Sequence, residues 1–430
     1  MYFFYSLLLT LCLPLLLLSL WLKSWRVPAY RHRWQERLGW VKFPPLTQSI
    51  WIHAVSVGES VAAVPLILQL QDCYRDTPIV VTTTTPTGSA RIQAAFKSQL
   101  GQQIFHCYLP YDYPWAIKRF IGHIQPKLLI VMETEIWPNL FRYCGAQNIL
   151  LVIANARLSM RSLRGYLKLP QRWRAQILSN ITCIAAQSAL DAARYQTLGI
   201  PDSRVQNIGN IKFDLSLPSD VSSKGQQLRQ QLGPNRPVWI AASTHSKEES
   251  QILQVFAQLK PQFPDLLLFL VPRHPQRFAE VAQLCQAQGW SIVKRSAQQN
   301  CQPSDDIFIG DSMGELLYFY AASDMAFVGG SLVPVGGHNM LEPAALKLPI
   351  VCGPHCFNFI RISELLLEAK GMRCIHHLEE LTSVLTQWLS DPSLSKQLGA
   401  QAATVVEQNQ GALKRLSHLI EHLLEATNKR

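Results

Sequence analysis

Short apolar runs recur along this chain and alternate with stretches whose apolar positions repeat at helical spacing. Alternation of this kind predicts strands and helices in turn, the pattern of a parallel α/β architecture. A first series of candidate strands covers Ser49 to Val55, Pro78 to Thr83, Ile104 to Tyr108, Leu128 to Met132, Ile149 to Ile153 and Ile181 to Ala186, with a further strand-like run at Val205 to Ile208. A second series covers Val238 to Ala242, Leu266 to Val271, Ser291 to Lys294, Ile307 to Ile309, Met325 to Val328 and Ile350 to Cys352. Between the two, residues 216–237 are rich in Gln, Ser, Gly and Pro and read as a linker. The expected organisation is therefore an apolar segment at 1–22, an α/β domain at 23–215, the linker, a second α/β domain at 238–400 and amphipathic terminal helices at 401–430.

Residues Met1 to Leu22 are almost wholly apolar and carry no charge. As a helix they reach roughly 33 Å at about 1.5 Å per residue, enough to cross the hydrocarbon core of a bilayer. No basic residue precedes the run and no small-residue cleavage site follows it, so an uncleaved anchor is expected rather than a signal peptide. Lys23, Arg26, Arg31, Arg33 and Arg37 follow at once, which by the positive-inside rule keeps the rest of the chain in the cytoplasm. Trp21, Trp25, Trp34 and Trp40 suit the headgroup level. Pro14 interrupts the segment, and a helix lying in the membrane surface is the second arrangement open to it.

Composition narrows the partners but does not choose among them. A chain of 430 residues with a formal charge of +11 favours anionic partners: nucleic acid, acidic lipid or a phosphorylated substrate. Its ten cysteines are scattered and point to a reduced compartment. Cys352 and Cys356 flank His355, and Cys374 precedes His376 and His377, but neither spacing is that of a common zinc site. A strand-linked GxGxxG and a GxxxxGK[ST] are both missing, which removes most support for a dehydrogenase or an ATPase.

In open α/β sheets the loops after the strands carry the chemistry. The glycines Gly329, Gly330, Gly336 and Gly337 after one such strand allow close backbone approach, so their amides are expected to face an anion. A helix is predicted to start near Asn339, with Glu342 three residues on; the two form either a ligand-facing pair or a plain capping pair. Glu59 follows the run WIHAVSV and serves either as a general base or as a dipole-stabilising residue of the first helical turn. Glu133 and Glu135 end another strand, where their repulsion raises one pKa or the two bind two arginines structurally. Lys212, Arg273, His274, His245 and Lys247 occupy corresponding loops as candidate phosphate or carboxylate contacts, and GDSMGEL, with Met313, Gly314 and Glu315, reads as a strand-to-helix loop whose amides can hold a base or phosphate. The basic stretch Arg157 to Arg174 is either a lipid-facing patch or a solvated helix face.

Nine segments in order, WIHAVSVGES, TTTTPTGSAR, LPYDYPWAIKRF, METEIWPNL, VIANARLS, GNIKFD, VPRHPQRF, GDSMGEL and FVGGSLVPVGGHNMLEPAA, give the chain a likeness over nearly its whole length. It resembles the 3-deoxy-D-manno-octulosonic acid (Kdo) transferases of lipid A assembly. The resemblance implies a GT-B glycosyltransferase fold, with two Rossmann-like domains, an interdomain cleft and an N-terminal membrane-anchor helix at the cytoplasmic face of a Gram-negative inner membrane. It implies a CMP-Kdo donor, a lipid A precursor as acceptor and inversion at the anomeric carbon, with anionic membrane lipids as surroundings and no nucleic acid, cofactor or bound metal. By motif, Glu59 would be the proton acceptor, and Glu133 and Lys212 would assist the transition state. Pro272, Arg273, Met313, Gly314, Glu315, Asn339, Met340, Leu341 and Glu342 would hold CMP. Two other readings stand beside it: a GT-B transferase or epimerase using a UDP-sugar, and a non-catalytic, membrane-tethered lipid-binding protein.

Overall fold

The computed structural model describes residues 2–428. Its first sheet has seven strands: β1 (Ser49–His53), β2 (Ile79–Thr83), β3 (Ile104–Tyr108), β4 (Pro126–Met132), β5 (Leu150–Ala156), β6 (Cys183–Ala186) and β7 (Val205–Asn207). They pair in the order β3-β2-β1-β4-β5-β6-β7, every ladder parallel. Successive side chains of a strand go to opposite faces, and the two cores follow that rule. Trp51, Leu129, Val131 and Leu151 join one apolar cluster, while Ile50, Ile52, Leu128 and Ile130 join the other. Burial on both faces is why these strands are continuously apolar rather than alternating.

A second sheet repeats the scheme with β8 (Val238–Thr244), β9 (Leu267–Pro272), β10 (Ile292–Lys294), β11 (Ile307–Ile309), β12 (Met325–Val328), β13 (Ile350–Cys352) and β14 (Met372–Cys374). Its order is β10-β11-β9-β8-β12-β13-β14, again all parallel. The chain divides into two compact units, with boundaries at Asp214/Leu215 and Asn409/Gln410.

Both segment boundaries drawn around the second domain shift. Residues 216–237 are no free linker: Val221–Leu232 is a helix whose Val221, Gly225, Leu228 and Leu232 are buried, with Leu228 and Leu232 in the core beneath the second sheet. Gly225 is needed there, since a Cβ would sit 2.5 Å from that of Ala321. At the other end the boundary at 401 falls inside the helix Pro392–Asn409. The chain then turns at Gly411, φ 88°, and the helix Ala412–Asn428 belongs to the first unit. Ala412, Leu416, Ile420 and Leu424, spaced at i, i+4, i+8 and i+12, complete one core of the first sheet. Each Leu or Ile so buried stabilises by roughly 1.5–3 kcal/mol. Asp214 caps this helix by accepting from the amides of Gly411 and Leu413.

The N-terminal helix spans Tyr2–Arg26, four residues past the expected end at Leu22, and its window Tyr2–Trp25 has a mean hydropathy of 2.3. It is the one helix among the described residues long and apolar enough to cross a membrane. The Tyr2 hydroxyl donates to the Gln176 carbonyl at 2.9 Å, Asn139 Nδ2 to Ser6 Oγ at 3.0 Å and the Tyr113 hydroxyl to the Leu9 carbonyl at 2.7 Å, so its first turns are tied to the first unit. Among the flanking cations, Arg33 and Arg37 are held by the first unit. Arg33 pairs with Glu36 and bonds the His106 carbonyl at the β3 edge, while buried Arg37 donates to the Thr84 carbonyl and lies over the Tyr108 ring.

Candidate functional site

In the first sheet the strand order reverses between β1 and β4, and the crevice at their carboxyl ends is where such sheets hold ligands. Glu59 lies in the first turn of the helix Val57–Cys73, directly after β1. Ser56 caps that helix, its Oγ accepting from the Glu59 amide at 3.3 Å. The Glu59 carboxylate reaches back, Oε2 accepting from the Val55 amide at 2.8 Å and Oε1 from Ser56 Oγ at 2.9 Å. It therefore does the capping work that the local sequence allowed. It is also only 9% exposed, and burial raises its pKa to about 7, aided by the charges of Glu133 and Glu135 and opposed by the Val55 and Ser56 hydrogen bonds. A carboxylate poised near neutrality is what proton abstraction from a hydroxyl requires.

Glu133 follows β4 in a left-handed conformation, φ 59°, which breaks the alternation that would have aligned it with Glu135. Its amide still donates to the Ala154 carbonyl at 2.9 Å. The partner of Glu133 is a lysine rather than an arginine: Lys212 Nζ lies 2.8 Å from Glu133 Oε1. Lys212 sits in the 3₁₀ turn Ile211–Phe213 after β7, and that turn is pinned by Asn155 Oδ1, which accepts from the Ile211 amide at 3.1 Å. Sequence reasoning missed Asn155, which lies past the expected strand end at Ile153, inside the segment VIANARLS. Burial raises the pKa of Glu135 as well.

In the second sheet the order reverses between β8 and β12, and the loops after those strands meet. The four glycine amides expected to face an anion are already occupied within the protein. Gly329 donates to the Ala242 carbonyl, Gly336 and Gly337 to the Gly330 carbonyl, and Gly330 to Glu248 Oε2 at 2.7 Å. Glu248 is fully buried and also accepts from the amides of His245, Ser331 and Leu332 at 2.9, 3.0 and 2.9 Å. The anion in the glycine loop is thus the protein's own carboxylate. Nothing local signalled this, because the amides that Glu248 satisfies come mostly from a loop more than 80 residues away.

His338, also passed over, forms an edge-to-edge pair with His245. Their Nε2 atoms are 2.8 Å apart, the rings are 4° from coplanar and the centroids are 5.0 Å apart. That separation is the sum expected when two imidazoles share one proton in line, not when they stack face to face. His274 meets His245 edge-on at 5.2 Å. Burial lowers the pKa of His338 to about 3, with Arg273, His245 and His274 adding to it.

The helix expected at Asn339 runs only from Leu341 to Ala345, too short for a large dipole. Asn339 Oδ1 accepts from the Leu341 amide at 3.1 Å and its Nδ2 donates to Glu342 Oε1 at 3.0 Å. Burial raises the pKa of Glu342, opposed by Asn339 and by the charge of Arg273. Met340 and Leu341 are buried, so only their backbone is available to a ligand. Pro272 is buried at the end of β9, and the amide of Arg273 donates to the Thr244 carbonyl at 3.0 Å. The Arg273 side chain is exposed and takes no hydrogen bond or ion pair among the described residues.

Glu315 is held by Arg295 at 2.8 Å and by Ser312; burial alone would raise its pKa, but these partners bring it below the usual carboxylate range. Its side chain is therefore committed. The amides of Met313, Gly314 and Glu315, and those of His338, Asn339 and Met340, take no intramolecular hydrogen bond among the described residues. They are available as hydrogen-bond donors. Among the described residues no group of three His, Cys, Asp or Glu is arranged to hold a metal ion.

Residues 32–215 match the family profile described as 3-deoxy-D-manno-octulosonic-acid transferase. The chain is 44% identical to the 3-deoxy-D-manno-octulosonic acid transferase of Haemophilus influenzae, over 98% of this chain and 99% of that protein. A crystal structure of the C-terminal CMP-Kdo binding domain of WaaA from Acinetobacter baumannii is 38% identical, covering 44% of this chain and 99% of that one, at a TM-score of 0.42. The UDP-GlcNAc 2-epimerase of Neisseria meningitidis, at 14% identity, covers 88% of this chain and 100% of its own with a TM-score of 0.56, a likeness of fold alone and one of GT-B type. Identity of 44% sustained from end to end, on a chain that folds into two parallel seven-stranded sheets, decides the affiliation: the chain belongs to the 3-deoxy-D-manno-octulosonic acid transferase family.

Proposed function

We propose that this chain transfers Kdo from CMP-Kdo to a hydroxyl of a lipid A precursor, with inversion and with CMP leaving. The observation that carries this reading is the end-to-end identity with the Haemophilus influenzae transferase. The chemistry of the two units supports it. A sugar hydroxyl is a weak nucleophile at neutral pH, and Glu59, half ionised near pH 7, is suited to take its proton as the bond to the anomeric carbon forms. Lys212 holds Glu133 beside it and would balance negative charge as the transition state develops.

The donor and the departing CMP are both anionic. The unpartnered Arg273 guanidinium and the free amides of residues 313–315 and 338–340 supply donors for phosphate and carboxylate oxygens. Asn339 and recessed Glu342 offer an amide and a carboxylate to the hydroxyls of a ribose or to a base edge. In this reading the helix Tyr2–Arg26 and the exposed Trp173 and Leu169 of the basic stretch bring the first unit to an anionic membrane on the cytoplasmic side.

The deciding experiment incubates purified protein with CMP-Kdo and a tetraacylated disaccharide lipid A precursor and weighs the products. A mass increase of one or more Kdo units is expected. Turnover of a UDP-sugar with no transfer from CMP-Kdo would overturn the reading.

A further inference from the structure

Three free thiols gather at one end of the second sheet, outside the residues assigned above. Cys352 closes β13 and Cys374 closes β14, and the two are register partners on adjacent strands. Neighbouring strands lie about 4.8 Å apart, so the two side chains share a face. Cys356, four residues beyond Cys352, folds back until its Sγ is 3.5 Å from Cys352 Sγ. Cys356 and Cys374 both direct their thiols at the Gly353 carbonyl, at 3.3 and 3.4 Å. A cavity of about 310 Å³ opens onto the cluster, walled by Cys352, Cys356, Cys374, Met372, Phe357 and Ile360. It admits a small reagent to sulfur.

We propose that Cys352 and Cys356 are a reversible dithiol that a peroxide converts to a disulfide, and that the disulfide loosens the glycine loop beside it. The Cys356 thiolate attacks one peroxide oxygen; the O–O bond breaks and hydroxide leaves, taking up a proton as water. The Cys352 sulfur, having lost its proton, then attacks the Cys356 sulfenic acid. The S–S bond forms, the S–O bond breaks and a second water leaves. Two thiols and one peroxide give one disulfide and two waters.

The nucleophile is in a suitable state. Hydrogen bonding from Cys352 lowers the pKa of Cys356 against the effect of burial, and the same neighbour brings Cys374 down to about 6. Thiolate is the reactive form.

The mechanical link runs through backbone. Gly353 N donates to Ser331 Oγ at 2.9 Å, His355 N to the Ser331 carbonyl at 3.0 Å and Asn358 N to the Gly336 carbonyl at 3.1 Å. A Cβ at Gly353 would lie 2.4 Å from the Ser331 carbonyl oxygen, so the two segments are in direct contact. Closing the Sγ separation to about 2.05 Å draws Cys356 inward and pulls on these bonds.

The test treats full-length protein with hydrogen peroxide at neutral pH, alkylates with N-ethylmaleimide, digests and reads the peptides by mass. The expected result is a Cys352–Cys356 link, loss of alkylation at both, continued alkylation of Cys374, and reversal by dithiothreitol. Cys356→Ser should abolish the link and Cys374→Ser should keep it. Full alkylation of Cys352 and Cys356 once exposed Cys73 has been oxidised, or a link that involves Cys374 instead, would overturn the proposal. Hydrogen exchange supplies the second reading: the amides of Gly336 and Gly337 should exchange faster in linked protein, and unchanged exchange in protein with a verified link would equally overturn it.

Discussion

Lys212 Nζ and Glu133 Oε1 stand 2.8 Å apart although 79 residues separate them in sequence. Each side chain is about a fifth to a quarter exposed, so the pair is partly screened. A double-mutant cycle of Lys212→Ala and Glu133→Ala in folding stability should give a coupling near or below about 1 kcal/mol. Lys212→Met should lower kcat for Kdo transfer by about tenfold or more, an interaction lost mainly in the transition state, with the KM for CMP-Kdo little changed. A raised KM with kcat unchanged would point instead to plain substrate binding.

The raised pKa of Glu59 gives a signed pH dependence. In the folded state its proton is held to about 7, against an ordinary value of 4.5. Between those values the folded state binds more protons, so this group lowers stability as pH rises through the window. Glu59→Gln keeps an acceptor for the Val55 amide and removes the titration. The variant should gain stability relative to the parent as pH rises from 4.5 to 8, by up to about 3 kcal/mol. Its transfer rate should fall about 10²–10⁴-fold and lose the limb centred near pH 7. Chemical denaturation of both proteins across that range, with initial rates, measures both effects.

Removing the Glu248 carboxylate leaves four amides, those of His245, Gly330, Ser331 and Leu332, without their acceptor. Each buried orphan costs about 1–3 kcal/mol. Glu248→Ala should therefore unfold the second unit at room temperature or lower its melting temperature by well over ten degrees, as calorimetry would show. A near-native melt would mean that the loop re-forms around water.

His338 should stay neutral across the physiological range. Its folded pKa, lowered to about 3, lies below the ordinary 6.5, so the unfolded chain binds the extra proton as pH falls through 6.5 and stability drops there. Imidazole ¹⁵N spectra from pH 5 to 8 should show His338 fixed in one tautomer or exchanging a single proton with His245. A titration midpoint near 6.5 would refute the shared-proton pair.

On the nucleotide side, Arg273→Ala and Glu342→Ala should each weaken CMP binding, the former by roughly 1.5–3 kcal/mol if its charge meets the phosphate. Added salt should weaken the parent more than Arg273→Ala. Calorimetric titration with CMP decides; unchanged affinity in both variants would remove these residues from the donor site.

Most of the strand framework could be read from apolar runs, because strands buried on both faces announce themselves by composition. β14 could not: three residues with Arg373 in the middle carry no such signal. The helix Val221–Leu232 was hidden by its Gln-rich outer face, although its buried positions keep helical spacing. In the candidate site, residues at strand ends such as Glu59, Glu133, Lys212 and Arg273 were visible from position. Glu248 and Asn155 were not, since each acts by satisfying backbone brought in from 82 and 56 residues away. The glycine loop misled for a related reason, one of its four glycine amides having found a distant carboxylate and the other three backbone carbonyls.

The helix Ala412–Asn428 follows Asp214, the residue that caps it, by some 197 positions. During synthesis the first half of the chain therefore leaves the ribosome with one core only partly covered, by Leu66, Ile67 and Ile92 of its own helices, and it waits for the whole second half before Leu416 and Ile420 arrive to complete it. The part made earliest is thus finished last, by the final helix to leave the ribosome.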